Sequence, residues 1–246
     1  MATVAVYNLK GGVGKTTVAV NFAWAATALG GMRTLLWDLD GQASATWILT
    51  GADPEAVPGR DAGAVLSCEI PPQEIIVATK TPGLDLLPAD HSLHGLDVIF
   101  STIDRDRHLG RLLADLNDSY DLIVLDCPPG LGFTSSQVIR AAALVLLPMI
   151  PSTLSRRALE EVQTHLARGG ETPPPIVPVF TMADMRRAAH RTAIETGPGY
   201  PVIPMASVIE MMADRNAAVG EYAPRSPAAQ AFTDLWYAVE PYLRDE

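Results

Sequence analysis

The amino-acid sequence predicts an α/β fold, in which a mostly parallel, twisted sheet is flanked by helices on both faces. Short apolar runs alternate with segments of helical periodicity along the chain, the pattern of a parallel sheet with crossover helices. The chain has 246 residues, enough to bury a large core. Several apolar runs end in Gly- or Asp-containing turns, as at the ligand-binding edge of such sheets. We therefore expect a single domain that spans residues 1–246, without internal repeats.

The strands are predicted from short apolar runs, many of them rich in β-branched residues. In chain order they are Ala2–Asn8, Thr34–Asp38, Leu84–Pro88, Tyr120–Asp126, Leu144–Pro148, Ile176–Phe180 and Tyr200–Ile203. The predicted helices are Thr16–Leu29, Leu93–Leu116 in one or two pieces, Leu154–Ala167, Asp184–Glu195 and Ala228–Leu243. Gly30 and Gly31 end the first helix, and Asp184 is the expected N-cap of the fourth. Residues 51–63 are rich in Gly, Pro and Ala, which predicts a surface loop.

A glycine-rich stretch follows the first strand directly and leads into the first helix. It contains Lys10, Gly11, Gly12, Val13, Gly14, Lys15, Thr16 and Thr17. Strand, glycine turn and helix together are the context of a phosphate-binding loop, since backbone N–H groups and the helix N-terminus form a cradle for anionic oxygens. Lys15 is placed to reach the β- and γ-phosphates, and Thr16 offers a hydroxyl to Mg²⁺. The sequence therefore predicts a P-loop NTPase.

This loop departs from the strict Walker A pattern, because Leu9 stands where its first glycine belongs. An additional lysine, Lys10, accompanies the departure. The chain has only three lysines, Lys10, Lys15 and Lys80, so two of the three lie in this loop. Such a concentration favours a ligand over the alternative, a glycine turn that merely begins a helix.

Two further strands end in carboxylates, which should meet the loop at the same edge of the sheet. Asp38 and Asp40 follow the second strand, and Asp126 ends the strand that precedes Pro128-Pro129-Gly130. We predict that Asp38 and Asp126 support Mg²⁺ and that Asp40 positions or deprotonates the attacking water. The alternative for each acid is a turn or cap residue. The catalytic set predicted from the residues is therefore Lys10, Lys15 and Asp40.

These motifs resemble those of the ParA/MinD family of deviant Walker A ATPases, and the resemblance covers nearly the whole chain. Lys10–Thr17 resembles the family's loop, Asp38 to Gln42 its first switch, and Asp126 to Pro129 its Walker B segment and second switch. Residues 203–204 and 222–229 resemble the C-terminal region of the ParA branch. The resemblance implies an ATP- and Mg²⁺-dependent ATPase. In its ATP-bound sandwich homodimer, Lys10 would reach the partner's nucleotide.

The resemblance to the ParA branch also implies non-specific DNA binding, a positioned cargo, and a partner protein that stimulates hydrolysis. The cargo would be a plasmid, a chromosome region or a protein body. The candidate DNA-binding residues are Arg186, Arg187, Arg191, Arg215 and Arg225. Residues 181–225 hold five arginines and five acidic residues, although the chain carries a net charge of −10. Met205 and Pro227 stand where the family often has basic residues. The alternative for the arginines is a solvated helix face.

The resemblance places adenine near the ends of the strands at 176–180 and 200–203. The residues implied are Thr181, Met182, Pro204 and Met205. Many relatives have Asn at the position of Thr181.

Bulk properties limit the remaining functions. The negative charge argues against wholesale nucleic-acid binding. The N-terminal strand pattern and the absence of a long apolar run predict a cytoplasmic protein without stable membrane insertion, nucleoid-associated if it binds DNA. Two cysteines form no metal spacing, which disfavours a cluster-bearing reductase.

A MinD-like membrane regulator remains an alternative, but the C-terminal segment is acidic and contains Pro241. A small-molecule ligase or kinase is a further alternative. Asp40 and Lys10 argue against a scaffold that binds nucleotide without hydrolysing it.

Overall fold

The computed structural model describes residues 1–52, 60–95, 108–130, 133–167 and 173–244. Eight strands form one sheet: β1 Ala2–Val6, β2 Thr34–Asp38, β3 Val77–Ala78, β4 Leu84–Leu87, β5 Leu122–Asp126, β6 Leu144–Met149, β7 Ile176–Ala183 and β8 Val202–Pro204. Their order is β3-β4-β2-β5-β1-β6-β7-β8. Every pair is parallel except β3 with β4. The predicted fold class is confirmed.

Helices cover both faces of this sheet. The described α-helices are α1 Lys15–Ala28, α2 Ser44–Thr50, α3 Ala62–Leu66, α4 His108–Ala114, α5 Phe133–Ala141, α6 Thr153–Ala167, α7 Ala188–Glu195, α8 Ser207–Glu210, α9 Met212–Arg215, α10 Val219–Tyr222 and α11 Pro227–Arg244. Two short 3₁₀ segments, Pro72–Glu74 and His91–Gly95, lie between them.

Alternation along the strands divides the apolar residues between two cores. Val4 and Val6 of β1 face the core that contains α1 and α11, whereas Ala5 and Tyr7 face the opposite core. Successive side chains of a strand point to opposite faces, and every residue of β1, β2 and β5 is buried. Runs that are apolar throughout therefore mark a central parallel sheet covered on both sides.

Some local predictions differ from the structure. Asp184 is not the N-cap of a helix, because α7 begins at Ala188 with Arg187 as its N-cap. The Asp184 carboxylate instead accepts hydrogen bonds from the backbone N–H and guanidinium of Arg186. Part of the predicted loop 51–63 is the start of α3, whose N-cap is Asp61. Residues 96–107 of the predicted helix Leu93–Leu116 lie outside the described residues.

Candidate functional site

The glycine-rich loop connects the central strand β1 to α1 at the carboxyl edge of the sheet. Gly12 and Gly14 have φ angles of 69° and 84°, a left-handed conformation that costs glycine little. Gly14 is the N-cap of α1 and provides no side-chain acceptor. The first-turn N–H groups of α1 therefore have no side-chain cap, and together with the helix dipole they suit an anionic ligand.

The two loop lysines differ in environment. Lys15 is 7% exposed, and its ammonium lies 3.4 Å from the backbone oxygen of Lys10. Lys10 is exposed. Its backbone N–H donates to the side-chain oxygen of Asn8, and the Asn8 amide donates to the backbone oxygen of Pro148 at the end of β6. The fold therefore fixes the loop backbone and Lys15 while the Lys10 side chain faces outward.

Thr181 of β7 supports the loop from behind. Its hydroxyl donates to the backbone oxygen of Val13 at 2.8 Å, and its side chain is 3% exposed. A Cβ added to Gly14 would meet Thr181 atoms 3.6 Å and 3.8 Å away. The Thr181 hydroxyl is thus committed to the loop backbone.

The sheet register places two acids side by side. Asp38 of β2 pairs directly with Asp126 of β5, and Val6 of β1 pairs with Asp126 from the other side. Both acids are almost wholly buried. The predicted convergence of Asp38 and Asp126 beside the loop is therefore observed, and it follows from three adjacent parallel strands that end together.

Asp126 fits a cation site. Neither of its carboxylate oxygens has a hydrogen-bond partner of ordinary geometry among the described residues. Burial raises the pKa of Asp126 well above its usual range, and Asp38 adds to this effect, while the Thr16 hydroxyl and the Lys15 ammonium oppose it. A buried acid without a partner is costly unless a cation reaches it.

The same edge offers few protein ligands to a metal. Within the described ranges, no group of three or more His, Cys, Asp or Glu residues could hold a metal ion. Mg²⁺ usually keeps several waters and takes only one or two protein ligands in addition to substrate phosphates. Thr16 and Asp126, with Asp38 behind them, therefore fit Mg²⁺ that arrives with a phosphate chain.

Asp38 is held by a network that the sequence analysis missed. One carboxylate oxygen accepts from the backbone N–H and the hydroxyl of Thr46, at 2.9 Å and 2.8 Å. The other accepts from the backbone N–H of Asp40. Burial raises the pKa of Asp38 to about 6, although the Thr46 and Asp40 hydrogen bonds favour the charged form. Thr46 is almost fully buried in α2, and a threonine in a short apolar helix was the only signal of its role.

Asp40 is partly buried in the turn after β2. One carboxylate oxygen of Asp40 accepts from the backbone N–H of Gln42 at 3.0 Å. This contact leaves lone pairs of the carboxylate available for a water molecule. Asp40 is therefore more open than Asp38 and Asp126.

The segment after Asp126, which the sequence predicts to be a second switch, is hydrogen-bonded to the residue that follows β1. The Tyr7 hydroxyl donates to the backbone oxygen of Gly130 at 2.8 Å, and Gly130 has a φ angle of 119°. This bond links the strand that carries the glycine loop to the segment after Asp126. The sequence analysis assigned no role to Tyr7.

Known proteins resemble the chain over most of its length. A family model described as an AAA domain matches residues 1–169. The sporulation initiation inhibitor protein Soj of Bacillus subtilis is 32% identical to this chain. The aligned region covers 94% of this chain and 95% of Soj. The chromosome partitioning protein ParA of Myxococcus xanthus is 33% identical, over 89% of this chain and 77% of that protein. The chain belongs to the ParA/MinD family.

Solved structures agree with this membership of the ParA/MinD family. The cobyrinic acid a,c-diamide synthase of Mycobacterium smegmatis, with bound ATP analogue and magnesium, superposes with a TM-score of 0.82 at 28% identity. The match covers 99% of this chain and 96% of that one. The cell division ATPase MinD of Pyrococcus furiosus gives a TM-score of 0.78 at 25% identity, with 98% of each chain covered.

A cavity of about 270 Å³ adjoins the ParA/MinD-type loop. Its walls include Gly14 and Thr17 of the loop segment and all four residues named for adenine: Thr181, Met182, Pro204 and Met205. Its other walls are mainly apolar, with Glu210 as the charged exception. The structure thus brings the four predicted residues together beside the loop.

The candidate DNA-binding arginines fall into two groups along the chain. Arg186, Arg187 and Arg191 lie in and beside the turn between β7 and α7, and all three are exposed. Arg186 pairs with Asp184 at 2.8 Å, and Arg191 donates to the backbone oxygens of Met185 and Arg186. Arg215 of α9 and Arg225 before α11 belong to later elements.

None of the helices in the described ranges combines the length and apolarity that a membrane crossing requires.

Proposed function

We propose that this chain is a ParA-type ATPase, a switch that binds ATP and Mg²⁺, dimerises and hydrolyses the nucleotide. The observation that carries the proposal is the contrast within the loop between buried Lys15 and exposed Lys10. One lysine serves the chain's own phosphate site, and the other is free to extend toward a second copy.

Residues of the loop would hold the phosphate chain. The first-turn N–H groups of α1 and the Lys15 ammonium neutralise phosphate oxygens, and Thr16 and Asp126 hold the metal side. Mg²⁺ supplies positive charge at the β- and γ-phosphates when it is bound. The base would occupy the cavity at Met182, Pro204 and Met205, where its faces contact apolar side chains.

Asp40 would position the attacking water. It is the most accessible of the three acids, and its carboxylate is oriented by the Gln42 backbone. Lys10 of the partner copy would add charge at the γ-phosphate in the manner of an arginine finger, a contribution of about 10³–10⁵ in related phosphoryl transfers.

A second copy would cover the carboxyl edge of the sheet. Exposed apolar side chains follow three neighbouring strands there: Leu154 after β6, Met185 after β7 and Met205 after β8, each at least half exposed. Exposed apolar groups beside an outward-facing lysine support a homodimer interface at this edge. The edge would be completed only in the ATP-bound dimer.

The proposed cargo system requires DNA and a stimulating partner protein. Support for DNA comes from the exposed arginines of the β7–α7 turn, of which Arg187 has no ion pair among the described residues. Support for a partitioning role comes from the chromosome partitioning protein ParA, whose match covers 89% of this chain. The cargo would be a plasmid, a chromosome region or a protein body.

Size-exclusion chromatography coupled to light scattering tests the switch. We expect monomer without nucleotide and a stable dimer for Asp40→Ala with ATP and Mg²⁺, because hydrolysis no longer reverses dimerisation. Lys10→Ala should retain ATP binding but remain monomeric, whereas Lys15→Ala should lose ATP binding by at least about tenfold, since a charge-assisted contact is worth about 1.5–3 kcal/mol. Full ATP affinity in Lys15→Ala would refute the phosphate-site assignment.

A co-sedimentation assay with duplex DNA or anionic liposomes, with and without ATP, separates the alternatives. ATP-dependent DNA retention that weakens with salt supports the ParA-type function. Retention on liposomes supports a MinD-like regulator instead. The diamide synthase likeness makes an ATP-dependent ligase the remaining candidate, and ATP consumption that requires a carboxylic acid and an amine donor would favour it.

A further inference from the structure

A histidine ring packs directly against the first switch. A Cβ placed on Gly41 would lie 2.8 Å from Nδ1 of His94, 3.2 Å from Cε1 and 3.3 Å from the His94 backbone nitrogen. The imidazole therefore occupies the space that a side chain at position 41 would need. Gly41 follows Asp40 directly, and its φ lies outside the left-handed region, so close packing, not backbone conformation, favours glycine here.

The segment that carries His94 is itself fixed to the site. The backbone N–H of Ala89 donates to the Thr46 hydroxyl, which donates in turn to Asp38. Asp90 accepts from the backbone N–H groups of Ala62 and Ser92. The 3₁₀ turn His91–Gly95 is therefore anchored at its start, and it presents His94 to Gly41 from a fixed position.

A second histidine holds the ring from the other side. Nδ1 of His91 lies 3.4 Å from Nε2 of His94, and the ring centroids are 5.5 Å apart. A hydrogen bond forms between these nitrogens when one carries hydrogen and the other does not. The His94 ring is exposed to solvent on its remaining sides, and it is flanked by His91 and Gly41.

We propose that His94 is a positioning residue that acts through Gly41 to hold Asp40 in its hydrolytic orientation. The Gly41 peptide links Asp40 to Gln42, whose N–H donates to the Asp40 carboxylate. Displacement of Gly41 therefore moves both the backbone of Asp40 and the donor that orients its side chain. This inference rests on the proposed role of Asp40 in ATP hydrolysis.

A double-mutant cycle between positions 41 and 94 tests the proposal. Gly41→Ala should lower kcat about tenfold or more, because the new Cβ forces the turn and the ring apart, and misplacements of about 1 Å can cost 10²-fold. His94→Ala should lower kcat by about threefold to tenfold, since the turn loses its support. KM and the ATP dissociation constant should change less than about twofold in both variants, because the phosphate site is untouched.

The double variant distinguishes coupling from independent damage. Of the three nearest contacts of the alanine Cβ, the two to the ring are removed, and the 3.3 Å contact to the His94 backbone nitrogen stays. Gly41→Ala/His94→Ala should therefore recover at least about threefold in kcat over Gly41→Ala, as expected for coupled neighbours. His94→Asn, whose amide can occupy the place of Nδ1, should restore most of the activity lost in His94→Ala.

Gly110→Ala is the matched control, since within the described ranges no atom beyond its chain neighbours and its own helix backbone lies within 4 Å of the added Cβ in α4. If Gly41→Ala does not fold, the His94→Ala and His94→Asn pair carries the test through its kcat-against-KM pattern. The positioning role would be overturned if the fold-changes in kcat of the two single variants simply multiply in the double variant, which means that their free energies add. An unchanged kcat in His94→Ala would also overturn it. Failure of the wild-type chain to hydrolyse ATP would instead refute the proposed function, while an active wild type with an additive cycle refutes this inference alone.

Discussion

The Thr46 hydroxyl is central to the hydrogen bonding of the site, and its removal has a calculable cost. Thr46→Val keeps the shape of the side chain but deletes the 2.8 Å bond to Asp38 and leaves the Ala89 N–H without its 3.0 Å acceptor. A bond to a charged group contributes about 1.5–3 kcal/mol, and an unsatisfied buried donor costs about 1–3 kcal/mol. We expect a loss of about 3 kcal/mol in the free energy of unfolding.

Thermal and urea unfolding of the protein without nucleotide measure this loss. At about 2–4 °C per kcal/mol for a chain of this size, Thr46→Val should lower the Tm by roughly 6–12 °C. Thr46→Ser should retain most of the stability, because it keeps the hydroxyl. Thr50→Val is the control, because Thr50 is exposed and, as far as the structure describes the chain, its hydroxyl bonds to the backbone of Thr46 and Ala52 alone. A loss below about 1 kcal/mol in Thr46→Val would refute the network's importance.

Three further predictions concern the loop, the acids and the arginines. Thr181→Val removes the hydroxyl that donates to the backbone oxygen of Val13. It should weaken ATP binding about fivefold to tenfold, as measured by calorimetry. The control Thr196→Val removes an exposed hydroxyl and should bind ATP normally; equal affinities of the two variants would contradict the support role of Thr181. In the protein without nucleotide and Mg²⁺, burial raises the pKa of Asp38 from 3.8 to about 6. The folded state then holds a proton that the unfolded state has lost, so this stabilisation is fully present below pH 3.8 and lost as the pH rises through about 6. The loss from Asp38 is up to about 3 kcal/mol. Urea unfolding of Asp38→Asn across this range should therefore show a smaller change than the wild type, with the remainder due to Asp126, whose pKa is also raised. Identical profiles for the two proteins would argue against the assignment to Asp38. Arg187→Glu should reduce both ATP-dependent DNA retention and the salt dependence of that retention. The control is Arg60→Glu, which changes the charge equally at an arginine that pairs with Glu74 elsewhere on the protein, and its effect should be smaller. Equal retention by the two variants would exclude the β7–α7 turn from the DNA-binding surface.

The elements that were best predicted were those with a dense, unambiguous pattern. Strand β2 was predicted with its observed bounds, Thr34–Asp38, and the first helix within one residue at each end. The short helix Ser44–Thr50 and the edge strand Val77–Ala78 were missed. Their few residues give too little periodicity for detection. Tertiary contacts stabilise them instead: the helix contacts the predicted first switch, and the strand pairs with β4.

The residues of the site also divide into those that the sequence pattern predicts and those that it does not. Lys15, Thr16 and the three acids were predicted as site residues because their types and their positions after strands are typical of phosphate chemistry. Thr46, Thr181 and His94 act through neighbours that lie 8, 168 and 53 positions away in the chain. No local pattern encodes such partners, since a threonine or histidine has the same local signature on a free surface.

The sequence by itself determined the fold class and the family resemblance, because glycines, lysines and strand-ending acids at fixed spacings leave few other structures. Only the tertiary structure decided what each acid experiences. The register of three parallel strands buries Asp126 with no hydrogen bond of ordinary geometry to its carboxylate in the described part of the chain, surrounds Asp38 with donors and leaves Asp40 partly open. Burial and hydrogen bonding, which depend on distant segments that meet at one edge of the sheet, set the chemistry of residues that look alike in the sequence.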